Sequence, residues 1–312
     1  MQFLTRCCAL GILGVAPLII ALACLAAAQD KQNTKPDSQP ASQAANATEN
    51  VLGLPAKAME SKGTLLIAGG GKTPAEVYDE FVRLAGGEKA KIVHIPSAHD
   101  YAGMENIRRR FYGWLNYQVA KFQFLHTDSR ETADSDDFVK PLLEATGVWF
   151  SGGDQSRLTK RYAGTKVEAA VHKILERGGV VGGISAGAAV QSRVMLRSGV
   201  TEPTLGDGLG LASKAVIDTH FTERSRHTRL LRAIDDRPGF IGLGLDEGAA
   251  LVVQGNRVRA IGRSNVTVCV TPPEGDPVLV HRLKAGEEAD LVQIVAPKIA
   301  PTNTAALERR ER

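Results

Sequence analysis

Of the four cysteines in this 312-residue chain, Cys7, Cys8 and Cys24 fall in the first 24 residues, leaving Cys269 as the one thiol beyond them. A single thiol makes no internal disulfide, so no cross-link is expected once that leading segment is removed. Val268 and Val270 flank Cys269 in an apparent strand, with no histidine nearby in sequence. That is the setting of a packed core thiol rather than of a nucleophile. Excess charge is missing as well. Lys+Arg 38 against Asp+Glu 34 gives a formal net charge of +4, too small a surplus for the basic field that nucleic acid requires. There is no internal repeat, and no complete nucleotide fingerprint. In AGGGKTP, residues 68–74, Gly71-Lys72-Thr73 imitates the end of a phosphate-binding loop, but Leu66 stands where that loop needs its first glycine. Pro74 takes the third glycine's place in the dinucleotide pattern, which leaves a strand-to-helix turn with Pro74 at the helix's first turn.

What is present suits a globular protein: 43% hydrophobic and 23% charged residues, in a chain long enough for one large domain or two small ones. The N-terminus reads as a targeting segment. Arg6 supplies a positive charge, an apolar run follows, and Ala26-Ala27-Ala28 before Gln29 fits a cleavage site. Residues 1–28 are therefore expected to be a signal peptide and the product to be periplasmic or extracellular. A retained membrane anchor and a lipoprotein attached at Cys24 are the alternatives. Residues 29–61 are rich in Gln, Asn, Ser, Ala and Pro without apolar periodicity, the composition of a disordered tether. Asn46-Ala47-Thr48 in it matches a glycosylation acceptor, which matters only in a eukaryotic secretory route. A catalytic domain is expected over 62–270 and a C-terminal extension over 271–312.

From residue 64 the pattern alternates. TLLIAGG, KIVHIP, VAKFQFL, GVWFSGG, GVVGGIS, AVIDTHF and FIGLGLDE are short apolar runs that read as strands. Helical stretches lie between them. The clearest is TKVEAAVHKILERGG, with Val167, Val171, Ile174 and Leu175 on one face, Thr165 as cap and Gly178 as stop. Such alternation predicts an α/β protein, a mostly parallel sheet with helices on both faces. ALVVQ, RVRAIG and NVTVCVT, separated by short turns after residue 249, predict added antiparallel strands near the C-terminus.

Function in such a sheet gathers at the carboxyl ends of its strands. Gly183-Ile184-Ser185-Ala186-Gly187 is G-x-S-x-G after an apolar strand and before a helix, the context in which that motif presents a nucleophile on a sharp turn. The amide of Ala186 then faces a developing oxyanion. A helix cap is the other use of such a serine. A nucleophilic serine needs a base, and the base needs orienting. Of the seven histidines, His220 in VIDTHF ends a strand at the same edge, whereas His94, His99, His126, His172 and His281 fall in strands, loops, a polar helix face or near the C-terminus. A purely structural histidine is the alternative for His220. The next strand ends in Asp246-Glu247, and either carboxylate is a candidate third member.

GGISAGA, with SGGDQSRL before it and IDTHFTERSRHTRLL and GLGLDEGAALVV after it, resembles the cyanophycinases of peptidase family S51, which also holds aspartyl dipeptidase. The likeness runs from about Gly63 to Val270, with the motifs in the family's order. It implies a three-layer fold akin to class I glutamine amidotransferases, with serine in place of their cysteine. It also implies Ser185 as nucleophile, His220 as base and Glu247 as orienting acid, with Asp246 as the alternative. Gly153 would join Ala186 in the oxyanion hole, Gln155 would line the substrate pocket, and Arg224, Arg226 and Arg229 match the family's basic residues. Arg226 and Arg229, three apart, would share a helix face and offer planar forks to a carboxylate. One position departs: these enzymes carry glutamine between the aspartate and the histidine, where this chain has Thr219. The implied activity is serine-type hydrolysis of aspartyl peptide bonds, foremost β-aspartyl-arginine, through an acyl-enzyme, without metal or cofactor. The expected partner is a peptide containing aspartate, and a homodimer is left open. An esterase and an inactive protein that binds acidic polymers are the competing readings. The order Ser185, His220, acid argues against the α/β-hydrolase type of esterase.

Overall fold

Strands buried between two layers of helix meet apolar neighbours on both pleat faces, so they read as unbroken apolar runs. TLLIA and GVWF are of this kind, buried at every position. The computed structural model describes residues 52–53, 62–100, 104–271 and 278–296. The expected signal segment, the acceptor at Asn46 and most of the expected tether lie outside the described residues. β1 (Thr64–Ala68), β2 (Lys91–Ile95), β3 (Lys121–Phe124), β4 (Gly147–Phe150) and β5 (Val180–Ile184) run parallel in the order β1-β5-β4-β2-β3. β6 (Val194–Ser198) and β7 (Thr204–Asp207) pair only with each other, as a hairpin. β8 (Ala215–Thr219) and β9 (Ile241–Leu245) are parallel neighbours. β10 (Ala249–Gln254) and β11 (Arg257–Gly262) extend the first sheet antiparallel beside β1. β12 (Val266–Val270) and β13 (Leu279–Leu283) complete a second sheet ordered β13-β12-β9-β8, and β14 (Glu288–Asp290) edges the first, making it eight-stranded.

β1 shows the layering. Leu65 and Ile67 enter a core with Val167, Val171, Ile174 and Leu175 of the helix Lys166–Glu176. Leu66 and Ala68 face the other way, into a core with Val77 and Phe81 of the helix Ala75–Leu84. The α/β architecture and its antiparallel additions are thus as the sequence leads one to expect. Thr165 caps the helix Lys166–Glu176, its hydroxyl accepting from Val167 N at 3.3 Å, and Gly178 at φ 87° follows the helix end. Each fully buried Val, Ile or Leu contributes about 1.5–3 kcal/mol, so the apolar stripe, more than helix propensity, holds this helix.

Two features differ from expectation. The apolar runs do not all join one sheet: β8 and β9 form the second, because a run of apolar residues specifies burial and not which strand it pairs with. Residues 278–296, expected as an extension, supply edge strands to both sheets, and Leu291 and Ile294 of the helix Leu291–Val295 enter the core. At the other end Leu52, within the expected tether, is fully buried, and its carbonyl accepts from Lys214 N at 3.0 Å.

His94 of β2 is the most deeply buried histidine, 0% exposed among the rings of Phe111, Trp114 and Phe124. Its Nε2 lies 2.6 Å from Ser151 Oγ, and its Nδ1 has no partner among the described residues. Burial pushes the imidazole from 6.5 down to about 3, with the neighbouring His99 adding to the effect. A histidine depressed in the folded state favours folding above its unfolded pKa and loses that contribution as pH falls below it, because only the unfolded chain takes up the proton. His99 and His126, also lowered mainly by burial, act in the same direction. Acidification below about pH 6.5 should therefore lower the urea midpoint, with His94 alone accounting for roughly 1 kcal/mol per pH unit. His94→Gln should flatten much of that slope. A midpoint unchanged between pH 6.5 and 4.5 would contradict a neutral buried His94.

Candidate active site

At the end of β5 the chain turns sharply into the short helix Ala186–Ala189, and Ser185 occupies the turn at φ 54°, ψ −116°. A positive φ on a residue with a Cβ is strained, so the turn must be held from outside. Ser185 N donates to Ala68 O at 2.9 Å, and Ser185 O accepts from Ala188 N and Ala189 N. The flanking glycines are required by contact: a Cβ on Gly183 would lie 2.2 Å from Gly187 O, and one on Gly187 would lie 2.2 Å from Phe150 O. The serine hydroxyl makes no cap hydrogen bond to the helix. It lies instead 2.8 Å from His220 Nε2.

His220 follows β8, also at positive φ (52°), and its backbone N donates to Gly69 O at 2.9 Å. Its Nδ1 lies 2.6 Å from Glu247 Oε1. Asp246, the alternative acid, faces elsewhere: its Oδ1 accepts from Thr222 N at 3.1 Å and from Thr222 Oγ1 at 2.5 Å. The adjacent carboxylates therefore divide the work, Glu247 touching the histidine and Asp246 fixing the loop after it.

The glycine run 69–71, whose sequence reads as a simple strand-to-helix turn, is part of this arrangement. Gly70 (φ 114°) lies so close beneath His220 that a Cβ would stand 2.4 Å from the ring's Cε1 and 2.6 Å from Nε2. A Cβ on Gly71 would stand 2.2 Å from Glu247 Oε2. Three consecutive glycines at a strand's carboxyl end, on the edge that carries the serine and histidine, are the signal that marks them.

The SGGD loop lies over the serine. A Cβ on Gly152 would come within 3.3 Å of Ser185 Cβ, and Gly153 (φ 137°) packs so tightly on Ala98 that a Cβ would lie 2.5 Å from Ala98 O. Gly153, Ala186, Ser185 and His220 line one pocket of about 60 Å³. Neither Gly153 N nor Ala186 N donates to a protein acceptor among the described residues.

Gln155 and the three arginines line the same pocket, and Gln155, Arg226 and Arg229 already hold protein partners there. Gln155 Nε2 donates to Leu196 O (2.7 Å) and Arg197 O (2.9 Å), tethering β6. Arg226 is the N-terminal cap residue of the helix His227–Asp235, and Arg229 lies in its first turn, so the two side chains reach the same side. Both converge on Asp218, whose side chain is 0% exposed. Arg229 grips it with Nε (2.7 Å to Oδ2) and Nη2 (2.5 Å to Oδ1) and donates from Nη1 to Gly199 O at 2.6 Å. Arg226 Nη1 reaches Asp218 Oδ1 at 3.2 Å and Thr219 O at 2.6 Å. A buried carboxylate demands such compensation, and spacing alone does not reveal that the forks serve Asp218. Arg224 is exposed and its side chain has no partner among the described residues. Asp218 belongs to the IDTHF motif in sequence, but its burial and its pairing with both arginines are legible only in the structure.

A strained serine on a strand-to-helix elbow, hydrogen-bonded to a histidine that an acid holds from behind, defines a serine hydrolase. Comparison with known proteins narrows this. The model of peptidase family S51 matches residues 64–261. A cyanophycinase from Nostoc sp. is 32% identical over 263 residues, covering 74% of this chain and 87% of its own. One from Synechococcus elongatus is 30% identical over 221 residues, covering 66% of this chain and 68% of its own. The crystal structure of a peptidase from an acI-B1 actinobacterium is similar at 26% identity and a TM-score of 0.57, covering 73% of this chain and 96% of that one. The chain belongs to peptidase family S51, and it is a serine-type peptidase.

Fluorophosphonate labelling tests the constellation without any substrate. Ser185 should label rapidly, Ser185→Ala not at all, and His220→Ala and Glu247→Gln slowly. On a cleavable peptide, Ser185→Ala and His220→Ala should each lower turnover by on the order of 10⁴ to 10⁶, and the double variant should be scarcely worse than either. Additive losses would mean that His220 does not serve Ser185.

Proposed function

We propose that the chain hydrolyses aspartyl peptide bonds through an acyl-enzyme. The observation that carries this reading is the continuous chain Ser185, His220, Glu247 opening into a pocket walled by arginines. Ser185 Oγ attacks the scissile carbonyl carbon while His220 Nε2 takes its proton. The negative charge that develops on the carbonyl oxygen is met by the N–H groups of Gly153 and Ala186. Glu247 stabilises the imidazolium, which then gives its proton to the leaving nitrogen as the C–N bond breaks. Water, deprotonated by the same histidine, attacks the resulting ester and releases the acid product with the serine restored.

The arginine geometry moves substrate recognition to Arg224. Arg229 has spent its fork on Asp218, and Arg226 is held by Asp218 and Thr219, whereas Arg224 is uncommitted at the pocket wall. A β-linked aspartyl bond leaves an α-carboxylate beside the scissile carbonyl, and an arginine there favours that isomer. β-Aspartyl-arginine peptides should therefore be cut faster than their α-linked isomers, with Arg224→Ala removing about 1 kcal/mol of the preference, the worth of an exposed ion pair. Arg229→Ala should instead destabilise the fold by roughly 3–5 kcal/mol, since it strips a buried carboxylate of its main partner. Mass spectrometry of product formation and urea melts separate the two effects. Equal rates on both isomers, unchanged in Arg224→Ala, would overturn the assignment.

The same proposal puts the enzyme to work on peptides outside the cytoplasm. The apolar run ending in Ala26-Ala27-Ala28 is the feature that supports export. N-terminal sequencing of the exported product should begin at or near Gln29, and an intact Met1 on a soluble cytoplasmic product would contradict it.

A further inference from the structure

The pocket at Ser185, about 60 Å³, opens into a much larger cleft of about 610 Å³, the two sharing Gly153, Gln155, Arg224, Arg226 and Arg229 as walls. A water molecule needs about 10–15 Å³ of such space, so the inner pocket takes on the order of four small groups, a carboxymethyl arm and little else. The remainder of a peptide must lie in the outer cleft. Its far wall is the β6–β7 hairpin, and Arg197 stands on it.

Arg197 is fixed in direction by its surroundings. Gln155 Nε2 holds its carbonyl at 2.9 Å, and Arg229 Nη1 holds Gly199 O at 2.6 Å, so both ends of this turn are anchored to the active-site wall. The side-chain stem crosses Gly206 of β7, where a Cβ would lie 2.4 Å from Arg197 Cδ. Arg197 Nε lies 3.4 Å from Ser156 Oγ, and no carboxylate pairs with its guanidinium among the described residues. The cleft's charge balance is one-sided. Four arginines line it against one carboxylate, Asp154, whose Oδ1 accepts from Ser156 N at 2.8 Å as a helix cap. Asp218, buried behind the wall, offsets only part of Arg226 and Arg229.

We propose that Arg197, which lines the outer cleft together with Arg224, forms a second carboxylate subsite, so that the enzyme selects peptides carrying another acidic residue next to the cleaved aspartyl residue. This rests on the aspartyl-peptidase reading above. The subsite sits on the hairpin and not on the catalytic loops, so it sets specificity without touching the reacting atoms.

The test uses two series of aspartyl peptides, with Glu or Gln placed on the amino or the carboxyl side of the aspartyl residue. The intact enzyme should cut the Glu member about fivefold faster in one series, the size expected of one exposed ion pair, and raised salt should shrink that ratio. Arg197→Gln should bring the ratio to about one. Gly206→Ala, which keeps the arginine but places a methyl against its stem, should lower the ratio too. Equal rates for Glu and Gln members in both series, or a ratio that Arg197→Gln leaves intact, would overturn the subsite while leaving aspartyl cleavage standing. No cleavage of any aspartyl peptide by an enzyme whose Ser185 still takes a fluorophosphonate would overturn the aspartyl reading itself, and the subsite with it.

Discussion

The 2.8 Å contact between Ser185 Oγ and His220 Nε2 spans two sheets, since the serine ends β5 of the first and the histidine ends β8 of the second. Everything at the site depends on those two strand ends meeting. The meeting point is the backbone of residues 69–71. Gly69 O accepts from His220 N at 2.9 Å, Gly69 N donates to Ala249 O at 2.9 Å, and Gly70 O accepts from Gly248 N at 3.0 Å. Side chains on this segment would occupy the places of the His220 ring and the Glu247 carboxylate. The bare backbone is therefore what lets a histidine from one sheet reach a serine from the other. Strain at Ser185 and His220, both at positive φ, is the consequence of forcing two side chains over one edge, and the surrounding hydrogen bonds absorb it.

A second constraint is electrostatic. Asp218 is buried two residues before His220, and a lone carboxylate there would be costly. Arg226 and Arg229 answer it, and in doing so they organise the cleft: Arg229 also pins the β6–β7 hairpin through Gly199, and Arg226 pins the carbonyl of Thr219. Stability and specificity thus share one buried charge cluster. Arg226 and Arg229, which the motif comparison assigns to the substrate, are held by Asp218 here, and on the proposed reading the exposed Arg224 and Arg197 are the ones that meet a ligand.

Much of this is legible in the amino-acid sequence. The alternation of apolar runs and amphipathic stretches announces the α/β layering, because burial on both faces removes the polar alternation from a strand. Ser185 is legible because a nucleophile elbow needs small residues on either side, and His220 because a histidine at a strand end has few reasons to be there. What the sequence hides is pairwise. Asp246 and Glu247 differ only in which way each points, and that is set by Thr222 taking one of them. The arginine forks are legible as forks but not as partners of Asp218, and the glycine run, failing the pattern of a phosphate loop, marks a close approach at the strand edge without naming the ring it must clear. Division into two sheets is equally concealed, as are the edge strands from residues 278–296, because hydrogen-bond neighbours leave no mark on hydropathy.

The central claim is that Ser185 forms a covalent bond with the acyl part of a peptide. Rapid acid quenching of the enzyme during turnover of an aspartyl peptide, followed by mass spectrometry of its digest, measures this directly. The account predicts a mass increment equal to the acyl portion of that peptide, confined to the fragment carrying Ser185. Turnover proceeding with no such adduct, or with the adduct on another residue, would contradict it.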